Sequence, residues 1–121
     1  MGMTFLTAMV KKLPESRKGR RLKFLIDTGA LYTVAPASVL RALGIRPHRR
    51  EEFTLADGSS IERPLGGAYF EYKGIGGVAP VVFGQPGDSN LLGVTTLEAM
   101  GVMIDPLTRE LRLLPALLGR L

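Results

Sequence analysis

The residues best suited to chemistry are Asp27-Thr28-Gly29-Ala30, placed directly after the apolar run Phe24-Leu25-Ile26. An Asp-Thr-Gly tripeptide alone is also an ordinary turn, since Asp and Gly are common where a strand ends. Its lead-in is more specific. The apolar run puts the carboxylate at the end of a buried strand, where an unpaired charge is costly. Proteins keep such a group when it has a partner or a purpose, and a positioned carboxylate suits general acid–base work. Rival chemistries are thin in this chain. There is no Cys, which excludes disulfides, thiolate metal sites and Cys nucleophiles. The single His48 sits in the basic stretch Arg46–Arg50 without a Ser or Asp signature, and reads as a solvated loop residue.

A second motif lies far downstream. Asn90-Leu91-Leu92-Gly93 is a short apolar run closed by glycine, and Thr95–Met100 follows as a short helix. Phe24–Ala30 combined with Asn90–Gly93 resembles the retropepsin-type aspartic protease family, over nearly the whole chain from about Thr4 to Leu114. The resemblance implies a mainly β, closed, barrel-like acid protease fold with two short helices and a flap hairpin, acting as a homodimer. In this family two carboxylates share one proton, one serving as base toward water and the other as acid toward the carbonyl oxygen. Two close carboxylates cannot both ionise easily, a pattern for which aspartic proteases are the standard illustration.

This chain holds one Asp-Thr-Gly. Asp57 and Asp88 occur in turn-like stretches without an apolar lead-in. The second carboxylate is therefore expected from a second copy, across a two-fold axis between two Asp27 side chains. The resemblance makes Asp27 catalytic, has the Thr28 hydroxyl brace the partner loop, and has Gly29 admit the substrate backbone. Ala30, Leu31, Val34, Ala56, Asp57, Gly58, Ser59, Val81 and Val82 are the expected substrate-binding residues. Leu55 and Ile61 add apolar wall, which suggests a preference for apolar substrate side chains. The hairpin Glu52–Pro64, with Asp57-Gly58 near its tip, matches the flap that closes over bound peptide. Two positions depart from the viral members, which carry an acid after Asp-Thr-Gly-Ala and an Arg after the later Gly. Here they are Leu31 and Val94, and an apolar contact between them is expected to replace the ion pair.

These residues need elements to hold them. With 15 Gly and 8 Pro, the chain suits many short strands joined by turns better than long helices. Thr4–Val10 reads as a strand with apolar residues for both faces, Lys11–Arg21 as a loop, and Leu22–Ile26 as the strand that delivers Asp27. Thr33–Ala35 resumes a strand, and Pro36–Leu43 reads as a helix stopped by Gly44. Phe53–Leu55 and Ser59–Glu62 form the flap hairpin. Ala68–Tyr72 and Val78–Phe83 form another, around Lys73–Gly77. The late helix has Thr95 as a candidate N-cap and Gly101 as its stop. Met103–Asp105 and Glu110–Leu114 form a last strand pair. The strand–turn–helix sequence thus occurs twice, as a weak internal echo. Thr4–Val10 and Glu110–Leu114 are candidates either for an intersubunit sheet or for pairing inside the chain.

A length of 121 residues suits one domain, 1–121, and 45% hydrophobic residues suffice for a core. The net charge of +5 gathers in Arg17-Lys18-Gly19-Arg20-Arg21 and in Arg46 with Arg49-Arg50. These read as two solvated loops rather than a nucleic-acid surface, because neither carries interleaved aromatics. No segment approaches the roughly 20 apolar residues that span a membrane. The N-terminus has the wrong polarity for a secretory signal, and Leu6 does not fit a myristoylation motif at Gly2. The expected protein is a cytoplasmic aspartic endopeptidase with a polypeptide substrate, no cofactor, no metal and no nucleic-acid or membrane partner. The alternative is a catalytically weak or inactive dimeric binding or assembly module on the same fold.

Overall fold

A computed structural model describes residues 3–114. Gly2 and the two ends of the expected domain 1–121 lie outside the described residues. The elements run β1 (Phe5–Lys11), β2 (Gly19–Ile26), β3 (Thr33–Pro36), α1 (Ala37–Ala42), β4 (Arg49–Thr54), β5 (Ser60–Tyr72), β6 (Ile75–Gly84), β7 (Leu91–Leu92), α2 (Val94–Met100), β8 (Val102–Ile104) and β9 (Leu111–Leu113).

The main sheet has the order β1-β2-β7-β3-β6-β5-β4, and β1 also pairs with β5. That extra pairing closes the sheet into a barrel and leaves β4 on the outside of β5. The 13-residue β5 makes closure possible by serving two partners in turn. Ser60–Leu65 pairs with β4, and Tyr69–Glu71 pairs with Lys11–Met9 of β1. The core follows the two-residue strand period. Leu6, Ala8 and Val10 point inward with Phe24, Phe70, Val81 and Phe83, and the Phe24 and Phe70 rings meet edge to face at 6.2 Å. Leu40 of α1 with Leu97 and Met100 of α2 completes it.

The structure amends several expectations. β1 buries one face only, since Phe5 and Thr7 are exposed. The loop after β1 is shorter than expected, because Gly19, Arg20 and Arg21 already pair with Lys11, Val10 and Met9. Arg49 and Arg50 likewise lie on β4, so both basic clusters run into strands. The flap return and the next hairpin share one continuous β5. Its turn to β6 is only Lys73-Gly74, both at positive φ (48° and 79°), the two-residue geometry that matches strand twist. Thr95 does not cap α2, which starts from Gly93 without a side-chain cap. The internal echo holds in part: β2 and β7 lie parallel side by side, but β3 intervenes before α1 whereas α2 follows β7 directly. Inside the chain the candidate terminal strands find partners, β1 with β2 and β5, and β9 with β8. Among the described residues no helix is long and apolar enough to cross a membrane.

Candidate active site

Asp27 is the first residue past β2, and β7 runs parallel beneath it. Leu25 and Ile26 pair with Leu91 and Leu92, and the Asp27 N–H donates to the Leu92 carbonyl at 3.0 Å. The chain then turns tightly. The Gly29 N–H donates to Asp27 Oδ1 at 2.9 Å and the Ala30 N–H to the Asp27 carbonyl at 3.0 Å. The Asp27 backbone and one carboxylate oxygen are thereby fixed from both sides.

The next layer explains why α2 needs no capping side chain. A helix start leaves backbone N–H groups without intrahelical partners. Here the Val94 N–H donates to the Ala30 carbonyl at 2.9 Å and the Thr95 N–H to the Leu31 carbonyl at 3.1 Å. The orphan donors of α2 thus hold the loop that carries Asp27. The approach is close enough to demand glycine: a Cβ on Gly93 would lie 2.6 Å from the carbonyl carbon of Tyr32 and 2.8 Å from the Leu31 oxygen. Thr33 and Thr96, both fully buried, complete the bracket. Their hydroxyls are hydrogen-bonded at 2.5 Å, and Thr33 Oγ1 accepts the Gly93 N–H at 3.0 Å. Neither threonine stood out in the sequence.

Above this floor lies a cleft of about 670 Å³. It brings together Asp27, Gly29, Ala30, Leu31, Val34, Ala56 and Val82 of the expected site, with Leu55 and Ile61. It does not take in Thr28, which is exposed, or Asp57, Gly58 and Ser59, which form the turn at the hairpin tip. There the Asp57 carboxylate accepts the Ser59 hydroxyl at 2.5 Å and the Ser59 N–H at 2.9 Å. These bonds hold its pKa below the usual carboxylate value. Val81 faces the core instead of the cleft, because adjacent strand residues point to opposite sides and Val82 takes the cleft face. Leu31 is 59% exposed, so the expected apolar contact with Val94 is not a buried one. The links from this loop to α2 are the Ala30 and Leu31 carbonyls.

Tyr32, Phe53, Arg63 and Asp88 are among the lining residues that sequence reasoning missed. Tyr32 meets Phe53 of β4 edge to face at 6.2 Å, tying the Asp27 loop to the hairpin above it. Arg63 of β5 grips Asp88 with two bonds, Nε to Oδ2 at 2.9 Å and Nη2 to Oδ1 at 3.2 Å. Asp88 Oδ2 also accepts the Gln85 N–H at 2.8 Å. The only sequence signal for that pair is an arginine inside a strand otherwise built to line a cleft.

The Arg63 hydrogen bonds, helped by the Gln85 N–H, hold the Asp88 pKa below the usual carboxylate value of about 3.9. A depressed folded-state pKa stabilises the fold above the unfolded value, and that contribution is lost as pH falls through the folded one. Asp88→Asn is therefore expected to cost about 1–2 kcal/mol at pH 7, the pair being partly buried. Urea unfolding at pH 7 and near pH 2 checks this. The gap should shrink in acid, and a gap of equal size at both would refute the linkage. Among the described residues no three His, Cys, Asp or Glu side chains gather to hold a metal ion.

Comparison with known proteins agrees with this arrangement. The solution structure of the simian foamy virus (mac) protease matches with a TM-score of 0.55 at 24% identity, over 78% of this chain and 92% of that one. No curated protein matches the sequence. A family model described as aspartyl protease matches residues 15–96, a span that runs from the β1–β2 turn through Asp27 and the hairpin to the start of α2. That match, over more than half of its length, establishes the chain as a member of the aspartyl protease family, and its fold is similar to that of the retroviral protease.

Proposed function

We propose that the chain, as a single domain over 1–121, is one subunit of a homodimeric aspartic endopeptidase. Asp27 from each subunit shares a proton with its counterpart, and the pair activates water against a peptide carbonyl. The observation that carries this reading is Asp27 at the floor of a cleft, with Asp88 the only other carboxylate in its lining. Asp88 is unfit to be the second member of a proton-sharing pair. Its oxygens are committed to Arg63 and Gln85, and its depressed pKa keeps it ionised. A symmetric copy is the remaining source of the second carboxylate. The exposure of Thr28 and of the hairpin tip in one subunit supports contact with that copy, and in this reading the β4–β5 hairpin serves as the flap.

Open strand edges support association. Among the described residues Phe5–Ala8 pairs with β2 alone and β9 with β8 alone. Both flank one groove of about 500 Å³, where Phe5 is 50% and Leu113 is 68% exposed. A second copy that adds strands here covers edges and apolar side chains together. Leu113→Glu is expected to weaken the dimer at least about 100-fold, a cost of ~2.7 kcal/mol for burying a charge there. Activity at fixed enzyme concentration falls with it and returns partly as concentration rises. Sedimentation velocity beside activity decides this, and a parent that is active as a monomer removes the proposal.

The function itself is tested with a diverse peptide library from acidic to neutral pH, read by mass spectrometry. Cleavage by the parent supports the endopeptidase. A dimer that cleaves no peptide supports the binding or assembly module instead.

A further inference from the structure

The charge of this protein is segregated. Residues 11–23 hold seven of the 16 Lys and Arg but one of the 11 Asp and Glu, a balance of +6. The other residues hold nine against ten, or −1, so the excess of +5 belongs to one hairpin. The fold gathers these cations at one pole of the barrel. Lys11, Arg21 and Lys23 sit on one side of the β1–β2 pair, by the register Lys11↔Gly19, Met9↔Arg21 and Thr7↔Lys23. Lys12 and Lys18 lean on the end of α1. Lys18 Nζ donates to the Ala42 carbonyl at 3.2 Å, and Lys12 Nζ lies 3.9 Å from where a Gly44 Cβ would be.

A purely structural account covers those two lysines and Lys23, whose Nζ lies over the Phe5 ring at 4.7 Å, and leaves the arginines unexplained. Arg17, Arg20 and Arg21 are exposed, and the ion pairs among the described residues all lie elsewhere, on β4–β5, at Asp88 and around Asp105–Arg112. Crowded like charges without counter-charges destabilise a compact state. Solubility alone is served as well by dispersed charge.

We infer that this basic pole is an exosite that binds an acidic polypeptide segment of the substrate, away from the cleft. The inference rests on the proposed endopeptidase, which makes polypeptide the molecule at hand. Residues 11–23 contain no Phe, Tyr or Trp on which bases could stack, which disfavours nucleic acid. Leu13 is the one exposed large apolar side chain at the tip, too little apolar surface for a membrane anchor. The eight residues from Gly19 to Asp27 place the hairpin tip roughly 26 Å from the catalytic carboxylate at strand rise. A flexible chain covers that distance with about 20 residues. The exosite therefore selects substrates with an acidic run about 20 residues from the cleaved bond, and it acts on KM rather than kcat.

The test uses one peptide cleaved by the enzyme, extended by a 20-residue Gly/Ser linker ending in six Glu or, as control, six Gln. The Glu peptide is expected to show a KM about tenfold lower at low salt with equal kcat, an advantage that disappears near 0.5 M salt. Arg20→Gln/Arg21→Gln should remove most of that advantage while cleaving the Gln peptide like the parent. Equal KM values for the two peptides overturn the exosite. Binding is also read without turnover, by fluorescence anisotropy of the labelled Glu tail on the Asp27→Asn protein. If no peptide is cleaved but the tail binds, the endopeptidase fails and the basic site stands. If single-stranded DNA or anionic vesicles bind there more tightly than the Glu tail, the polypeptide assignment is wrong.

Discussion

Asp27→Asn is expected to lower kcat by about 10³-fold or more while leaving the fold and the dimer intact. Asparagine matches aspartate in shape. Its Oδ1 can still accept the Gly29 N–H that now bonds Asp27 Oδ1 at 2.9 Å, and the backbone bond to Leu92 is indifferent to the side chain. What disappears is the exchangeable proton, in both subunits at once. Two neighbouring carboxylates also repel when both ionise, so the variant dimer should be no weaker than the parent and most clearly so at neutral pH. Circular dichroism and sedimentation velocity beside a kcat measurement separate loss of chemistry from loss of structure. Residual activity above about a tenth of the parent's would mean that another group performs the reaction.

Both observations behind that expectation were legible in the sequence, for a physical reason. An apolar run that ends in Asp-Thr-Gly, and a second one that ends in Gly, are local patterns. Local patterns report strand ends and sharp turns directly, whereas the expected burial of β2 holds only for Phe24, the other residues of the strand being half-buried or exposed. Strand alternation is equally local, yet it settles Val81 against Val82 only once the register is known. One residue of slip exchanges the cleft face for the core face. The Arg63–Asp88 pair was hidden more deeply. Its members stand 25 positions apart, on β5 and on the loop after β6. Nothing in either neighbourhood announces the other. The Thr33–Thr96 bond spans 63 positions and is quieter still, because a threonine in a strand looks like any other. The barrel closure depended on β5 running unbroken through Pro64, Gly66 and Gly67, residues that read as punctuation in one dimension. Pairing with β4, β6 and β1 overrides that local preference.

The hidden layer beneath Asp27 makes Gly93 a sensitive position outside the Asp27 loop itself. In Gly93→Ala the new methyl would meet the Tyr32 carbonyl carbon and oxygen at 2.6 Å, and these are backbone atoms that cannot rotate aside. Either α2 or the Asp27 loop must move. Movement of either one stretches the bonds from Val94 to Ala30 and from Thr95 to Leu31, which position the loop. Overpacking of this kind is expected to cost about 3 kcal/mol, which in a domain of this size lowers Tm by roughly 10 °C or more. The catalytic effect should exceed what unfolding explains, because displacing a reacting group by about 1 Å costs on the order of 100-fold in rate. Gly67→Ala is the matched control. A Cβ there meets nothing nearer than the Ala79 oxygen at 4.0 Å, so it should shift stability by less than about 1 kcal/mol. Activity and urea unfolding of the two variants, measured at a temperature where both are folded, give the decision. Equal behaviour of Gly93→Ala and Gly67→Ala would show that the contact between α2 and the Asp27 loop does not position the carboxylate. A Gly93→Ala protein that is folded, dimeric and about 100-fold slower would show that it does.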